Sequence, residues 1–170
     1  MLVIFSGLPG TGKSTLAVRL ARQVGAVYLR IDTIEQAMFA GEEDPRSVGE
    51  AGYLVGYAVA EDNLRLGHTV VADSVNPLQI TRTAWRNAAN HAGVVAVEVE
   101  VVCSDQVEHR YRVETRTADI AGHRLPSWQD VVLRQFEPWT GEHIRIDTAG
   151  QSIEQSLAAL QLMLPAGRQR

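Results

Sequence analysis

The chain has 170 residues, 45% of them apolar, which is enough for one full core and short of what two independent domains need. Its formal charge of −4 argues against wholesale wrapping of nucleic acid, a mode that many cations drive by displacing phosphate counterions. No uncharged apolar run approaches the roughly 20 residues of a membrane span, and the apolar start Leu2 to Phe5 breaks at once into Ser6-Gly7, so neither a signal peptide nor a membrane segment is expected and the expected compartment is the cytoplasm.

Leu2 to Phe5 reads as a buried strand, followed by a glycine-rich turn and a 3.6-residue apolar pattern through Leu16, Ala17, Leu20, Ala21 and Val24, with Gly25 closing the helix. Ala26 to Ile31 is a second strand, and Asp32 or Thr33 is placed to cap a helix through Met38. The charged, proline-broken segment Gly41 to Arg46 reads as a loop, and Val48 to Leu66 as a helix. Thr69 to Ala72 is a third strand ending in Asp73, and Ser74-Val75-Asn76-Pro77 turns into a helix carrying Ile80, Ala84, Ala88 and Ala92. Val94 to Val102 is a fourth strand, after which Ser104 or Asp105 caps a helix to about Val113. A polar, arginine-bearing stretch from Glu114 to Pro126 precedes a helix from Ser127 to about Glu137, a strand around His143 to Ile146, and a last helix through Ile153, Leu157 and Leu160. Strands alternating with helices predict an α/β fold, a parallel sheet covered on both faces with ligands at the carboxyl ends of its strands. One domain over residues 1–164 and a flexible tail over 165–170 are expected.

Gly7-Leu8-Pro9-Gly10-Thr11-Gly12-Lys13-Ser14 matches G-x-x-x-x-G-K-[ST] at every fixed position, between the strand and the helix that this motif requires. The glycines let successive backbone N–H groups converge on phosphate oxygens, and the helix N-terminus adds its partial positive charge at the same spot. Lys13 is then expected to reach the terminal phosphates of ATP, Ser14 to hold Mg²⁺ through its hydroxyl, and Thr15 to add a second hydroxyl contact. Fifteen of the sixteen basic residues are arginine, so Lys13 is the only lysine, and it stands where a compact ammonium fits between phosphates better than a guanidinium fork. A guanine-reading N-K-x-D loop is impossible with no second lysine, and the L-S-G-G-Q signature of transport ATPases is absent. Cys103, the single cysteine, ends an apolar run and reads as a structural thiol, and the five histidines show no ligand-like spacing.

With these motifs the chain resembles the small P-loop kinases, a group that includes gluconate kinases, chloramphenicol phosphotransferase, zeta toxins and polynucleotide 5′-kinases, and a description as an AAA-type P-loop ATPase is expected of it. Asp32 after the second strand, the run Val70 to Pro77 and the arginine segment 112–124 carry the resemblance beyond the P-loop itself, and Asp73 to Asn76 is similar to the D-x-x-N turn of polynucleotide kinases. The resemblance implies a three-layer P-loop NTPase fold with sheet order 2-3-1-4-5, which sets Asp32 and Asp73 beside the P-loop, and an arginine-bearing lid over about 113–126.

On this reading Asp32 is either the group that orients the acceptor hydroxyl and takes its proton or a simple helix cap. Arg30 either steers an anionic substrate or lies on the surface. Asp73 takes the position of a carboxylate that holds Mg²⁺ through water or bonds to Ser14, while Ser74 and Asn76 bind the acceptor or cap the next helix. Arg112, Arg116 and Arg124 close over the phosphates, or else form an exposed face paired with Glu108 or Glu114. Thr148 and Gly150 lie in the loop where similar kinases rest the adenine ring. Glu137-Pro138-Trp139 is similar to a turn of the same relatives, or is an apolar corner.

The function so implied is phosphoryl transfer from Mg·ATP to a hydroxyl of a metabolite, nucleoside or antibiotic, by a monomer or homodimer. The alternatives are a polynucleotide or nucleotide 5′-hydroxyl kinase, which Arg82 and Arg86 mildly favour, and an ATP-dependent switch without an acceptor. Nucleic acid is therefore a possible but unfavoured partner.

Overall fold

A computed structural model describes residues 1–39 and 50–165. The expected charged loop over 41–46, the first two residues of the helix expected from Val48 and the tail beyond Pro165 lie outside the described residues. In chain order the elements are β1 (Leu2–Ser6), α1 (Lys13–Val24), β2 (Val27–Arg30), α2 (Ile31–Phe39), α3 (Ala51–Arg65), β3 (Val70–Asp73), α4 (Gln79–His91), β4 (Ala96–Val102), α5 (Gln106–Thr115), α6 (Trp128–Val132), β5 (Ile144–Asp147) and α7 (Ile153–Met163). The five strands form one parallel sheet in the order β2-β3-β1-β4-β5, as the resemblance implied.

Side chains alternate across the sheet, and the two faces bury different partners. Val3, Phe5, Val71, Val99, Val101 and Ile146 pack under Leu16 and Leu20 of α1 and Leu157 and Leu160 of α7. Leu2, Ile4, Val70 and Ala72 pack on the opposite face against Ile31, Leu64 of α3 and Trp85 and Ala89 of α4. The buried stripe of α3 is Gly52, Gly56, Ala60 and Leu64, so small residues at four-residue spacing bring this helix close to its neighbours. A Cβ on Gly56 would stand 2.5 Å from Ile31 Cδ1 and 3.3 Å from Trp85 Cη2.

Register sets the site. Asp73, the last residue of β3, is level with Arg30 on one side and Phe5 on the other, so the ends of β2 and β3 converge on the loop that leaves β1.

Three local expectations need correction. Asp32 stands in the first turn of α2, which starts at Ile31, and so does not take the cap position. The helix expected to reach Glu137 stops at Val132, held at its start by a reciprocal Ser127–Asp130 capping box. The segment beyond it packs on Arg82 instead: Nη2 of Arg82 donates to Glu137 O at 2.8 Å and Nη1 to Pro138 O at 3.3 Å, and its guanidinium lies 4.1 Å from the Trp139 ring centre. Asn76 does not cap α4, whose cap is Leu78; it is fully buried at φ +49°, and its Nδ2 donates to Ser6 Oγ at 2.9 Å.

Candidate active site

The loop between β1 and α1 is built from below and above. Gly7, at φ +149°, passes so close to the Val101 carbonyl of β4 that a side chain has no room there. Gly10, at φ +86°, lies under α5, where a Cβ would stand 2.5 Å from Val113 Cγ2. Buried Thr11 folds its hydroxyl back onto Leu8 O at 2.9 Å, while the Thr148 hydroxyl donates to Thr11 O at 2.8 Å. His109 Nε2 donates to Pro9 O at 2.8 Å, so α5 and the β5–α7 loop both brace the cradle.

Lys13 opens α1 and turns back to Asp73, with Nζ 2.7 Å from Oδ1 and 3.3 Å from Ser14 Oγ. The Tyr28 hydroxyl donates to the other carboxylate oxygen of Asp73 at 2.7 Å. Burial by itself would raise the Asp73 pKa, but the charge and hydrogen bond of Lys13, helped by the Tyr28 and Ser14 hydroxyls, hold it below the ordinary carboxylate range. Burial first, and then the Asp73 charge, raise the Tyr28 phenol well above its ordinary value, so it stays a donor.

Above this pair lies a cleft of about 470 Å³ floored by Pro9, Gly10, Gly12, Lys13, Ser14 and Thr15 and walled by Arg30, Asp32, Arg112, Arg116 and Arg124. Two of these arginines are occupied. Arg30 grips Asp119 with two bonds of 2.6 and 3.1 Å, its Nε 3.9 Å from Asp32. Arg112 donates to Thr148 Oγ1 at 2.8 Å and Glu108 Oε1 at 2.6 Å. Arg116 differs in degree: its Nε and Nη2 are both buried with no hydrogen-bond partner among the described residues, against Nε alone in Arg30. Burial lowers its pKa, against the opposing charge of Asp32.

Glu35, one turn along α2 from Asp32, borders the same cleft, and burial followed by the Asp32 charge pushes its pKa up to about 7. Beyond it opens a second cavity of about 440 Å³, walled by Tyr53, Tyr57, Pro77, Leu78 and Ile80 and sharing Asp32, Glu35, Val75 and Arg134 with the first. On the other side of the cradle a smaller cavity of about 290 Å³ is lined by Gly12, Thr15, Arg112, Thr148 and Ile153, among others.

Of the residues singled out in the sequence, the cleft thus gathers the loop from Pro9 to Thr15 except Thr11, together with Arg30, Asp32, Arg112, Arg116 and Arg124. Gly7 and Thr11 shape the loop from behind, Asp73 lies beneath Lys13, and Thr148 faces the smaller cavity. Gly150 donates its N–H to Glu108 Oε2 at 2.9 Å. Ser74 and Asn76 are buried beneath the cleft and line neither large cavity. The basic residues that favoured a nucleic-acid substrate are used elsewhere: Arg82 is fully buried, and Arg86 Nη1 lies 3.0 Å from both oxygens of Glu98.

Sequence reasoning missed Tyr28, Glu35, Tyr53 and Arg134. Two of them leave a signal, since Tyr28, two residues before Arg30, shares its face of β2, and Glu35 follows Asp32 at helical i, i+3 spacing.

A parallel sheet of order 2-3-1-4-5 with this glycine-rich cradle between β1 and α1 defines a P-loop NTPase fold. Residues 2–138 match the model of an AAA domain family, and the chain belongs to that family. Among solved structures it is similar to the Mycobacterium tuberculosis APS kinase in complex with AMPPNP and APS (22% identity, 95% of this chain and 96% of that one, TM-score 0.65). It is similar also to a gluconokinase from Sinorhizobium meliloti 1021 (22% identity, 95% and 91%, TM-score 0.62) and to Chaetomium thermophilum Kti12 in complex with ADP-AlF3 (18% identity, 98% and 100%, TM-score 0.67). At such identities the likeness establishes a shared fold. No curated protein matches the sequence. Among the described residues no helix is long and apolar enough to cross a membrane.

Proposed function

We propose that this protein is a kinase that transfers the terminal phosphoryl group of Mg·ATP to a hydroxyl of a small molecule, residues 1–164 acting as one domain. The observation that carries the reading is Arg116. A guanidinium with two buried donors that find no partner among the described residues is costly to keep unless a multivalent anion completes it, and it borders the same cleft as the glycine-rich cradle and Lys13.

The residues divide the work by their chemistry. The loop N–H groups from Gly10 to Thr15 cradle phosphate, and Lys13 exchanges Asp73 for phosphate oxygens when nucleotide enters. Ser14 Oγ and the Asp73 carboxylate are hard oxygen donors beside that position, a set that fits Mg²⁺, which when bound offsets the charge of the phosphates. Arg112, Arg116 and Arg124 form the lid side, and the loop of Thr148 and Gly150 takes the base of the nucleotide. Asp32, at the mouth of the second cavity, accepts the proton of the acceptor hydroxyl as that oxygen bonds to phosphorus and the bond to the departing ADP breaks. Arg30, held by Asp119, keeps positive charge beside Asp32. Two of the structural relatives are kinases by name, acting on APS and gluconate, which supports the class.

The test is ADP release from Mg·ATP, screened against sugars, nucleosides, amino alcohols and 5′-hydroxyl oligonucleotides, with Lys13→Ala as the blank. Acceptor-dependent release that the variant lacks is expected. Tight nucleotide binding without stimulation by any acceptor would replace the kinase with a nucleotide-dependent switch, and stimulation by oligonucleotides alone would restore the polynucleotide reading against the burial of Arg82.

A further inference from the structure

We infer that the acceptor is an alcohol with a compact apolar body and a protonated amine, and that the cavity beside Asp32 selects it against sugar acids, phosphorylated sugars and nucleotides. The inference rests on the kinase reading for the location of the acceptor and on the cavity alone for its class.

Its walls fix the body. Tyr53 and Tyr57 of α3 stand with ring centres 6.0 Å apart, and Tyr57 is locked edge-on against buried Trp85 at 4.7 Å, so this wall is rigid and aromatic. Pro77, Leu78 and Ile80 line the same cavity. Such a slot excludes water from a ring-sized apolar group and offers few hydrogen-bond partners to a polyhydroxylated chain. About 440 Å³ accommodates a molecule of a dozen or so heavy atoms.

The charges fix the rest. Among the described residues the lining carries three acidic side chains, Asp32, Glu35 and Glu50, against one guanidinium, Arg134. Arg30 Nε stands 3.9 Å from Asp32, and Glu35, its pKa raised to about 7 chiefly by burial, ionises more readily once an ammonium lies beside it. Arg30 and Arg116, which border the phosphate cleft, are absent from the lining of this cavity. An anionic acceptor would meet like charge in a place partly withdrawn from water, whereas an ammonium group placed by the aromatic wall finds carboxylates and ring faces together. The same carboxylates bias the chain against nucleic acid and nucleotide ends, in agreement with the burial of Arg82.

Three probes of one shape test this: phenylalaninol, its N-acetyl amide and 3-phenyllactate share a benzyl body and a hydroxyl and differ in carrying positive, no or negative charge. Binding to the full chain is measured by calorimetry, and acceptor-dependent ADP release is measured in parallel. Phenylalaninol is expected to bind about tenfold or more tighter than the amide and tighter still than phenyllactate, and Glu35→Gln is expected to narrow the first ratio severalfold with the fold intact by circular dichroism. Preference for phenyllactate, or an amine-to-amide ratio of one, overturns the assigned charge; failure of all three to bind overturns the apolar slot. Binding of phenylalaninol with no phosphoryl transfer to any acceptor leaves the class standing and sinks the kinase reading. Transfer to acids or phosphorylated sugars does the reverse.

Discussion

Lys13 and Asp73 form an ion pair of 2.7 Å between side chains only 7% and 0% exposed, at the point where β1 and β3 deliver their chain ends. The pair gives Lys13 a structural role of its own. Removing one partner of a buried pair strands the other charge, so Lys13→Ala is expected to lose stability by roughly 3 kcal/mol as well as turnover. Urea unfolding at pH 7 measures the first loss. Lys13→Ala/Asp73→Asn should recover part of it, since the orphaned carboxylate is gone. Equal stability of Lys13→Ala and the parent would show that the pair contributes nothing.

Arg116 predicts an opposite combination. Each buried donor without a partner costs about 1–3 kcal/mol, so Arg116→Met should melt at the same temperature as the parent or higher in the absence of nucleotide. If the guanidinium completes the phosphate site, turnover should nevertheless fall about 10²–10³-fold. A variant that melts earlier and turns over normally would mark Arg116 as a purely structural residue.

Asp32→Asn separates base from binder. Affinity for Mg·ATP, measured by calorimetry, is expected to stay within about threefold of the parent, while acceptor-dependent turnover falls about 10²–10⁴-fold. Near-normal turnover would hand the proton to Glu35, the only other carboxylate common to both large cavities among the described residues.

The cradle and the alternation of strands and helices follow from features local to the chain, a strand, a fixed glycine-lysine spacing and a helix, then further strand and helix periods, whereas the strand order comes from the resemblance. Such local patterns survive folding because each is set by its own residues. The acceptor side does not work that way. Glycine is unfavourable inside a helix, yet Gly52 and Gly56 belong to the buried stripe of α3 and let Glu35 and Ile31 approach. Arg82 looks like a surface cation, yet it is sealed between Phe136 and Trp139, with its N–H groups spent on carbonyls of residues 76, 77, 137 and 138. Two of those carbonyls, on Glu137 and Pro138, lie more than fifty positions away, and no periodicity carries that information.

Arg82 is therefore expected to govern folding rather than substrate affinity. Four carbonyls converge on one guanidinium, a geometry that the ammonium of lysine does not reproduce. Arg82→Lys should lose about 2–4 kcal/mol in urea unfolding while the folded fraction keeps its KM for acceptor. A large rise in KM for an oligonucleotide with unchanged stability would instead return Arg82 to a substrate-binding role.

Glu35 gives the site a pH dependence whose sign differs from that of most carboxylates. Burial, then the Asp32 charge, set its pKa near about 7 in the folded chain against an ordinary 4.5, with Arg134 opposing both. Between those values the unfolded chain has released the proton that the folded chain still holds, so stability from this group is complete below pH 4.5 and is lost as pH rises through 7. The full shift corresponds to roughly 3 kcal/mol, and partial exposure reduces it to about 1–2 kcal/mol. Asp73, held below the carboxylate range by Lys13, acts in the opposite direction: its contribution persists at neutral pH and is lost as pH falls below 3.8 toward its folded value. Glu35→Gln isolates the first effect, because the amide keeps the shape and cannot ionise. It is expected to melt several degrees above the parent at pH 8 and at the same temperature at pH 4. A melting difference that stays constant between pH 4 and pH 8 would show that Glu35 ionises as freely in the folded chain as in water.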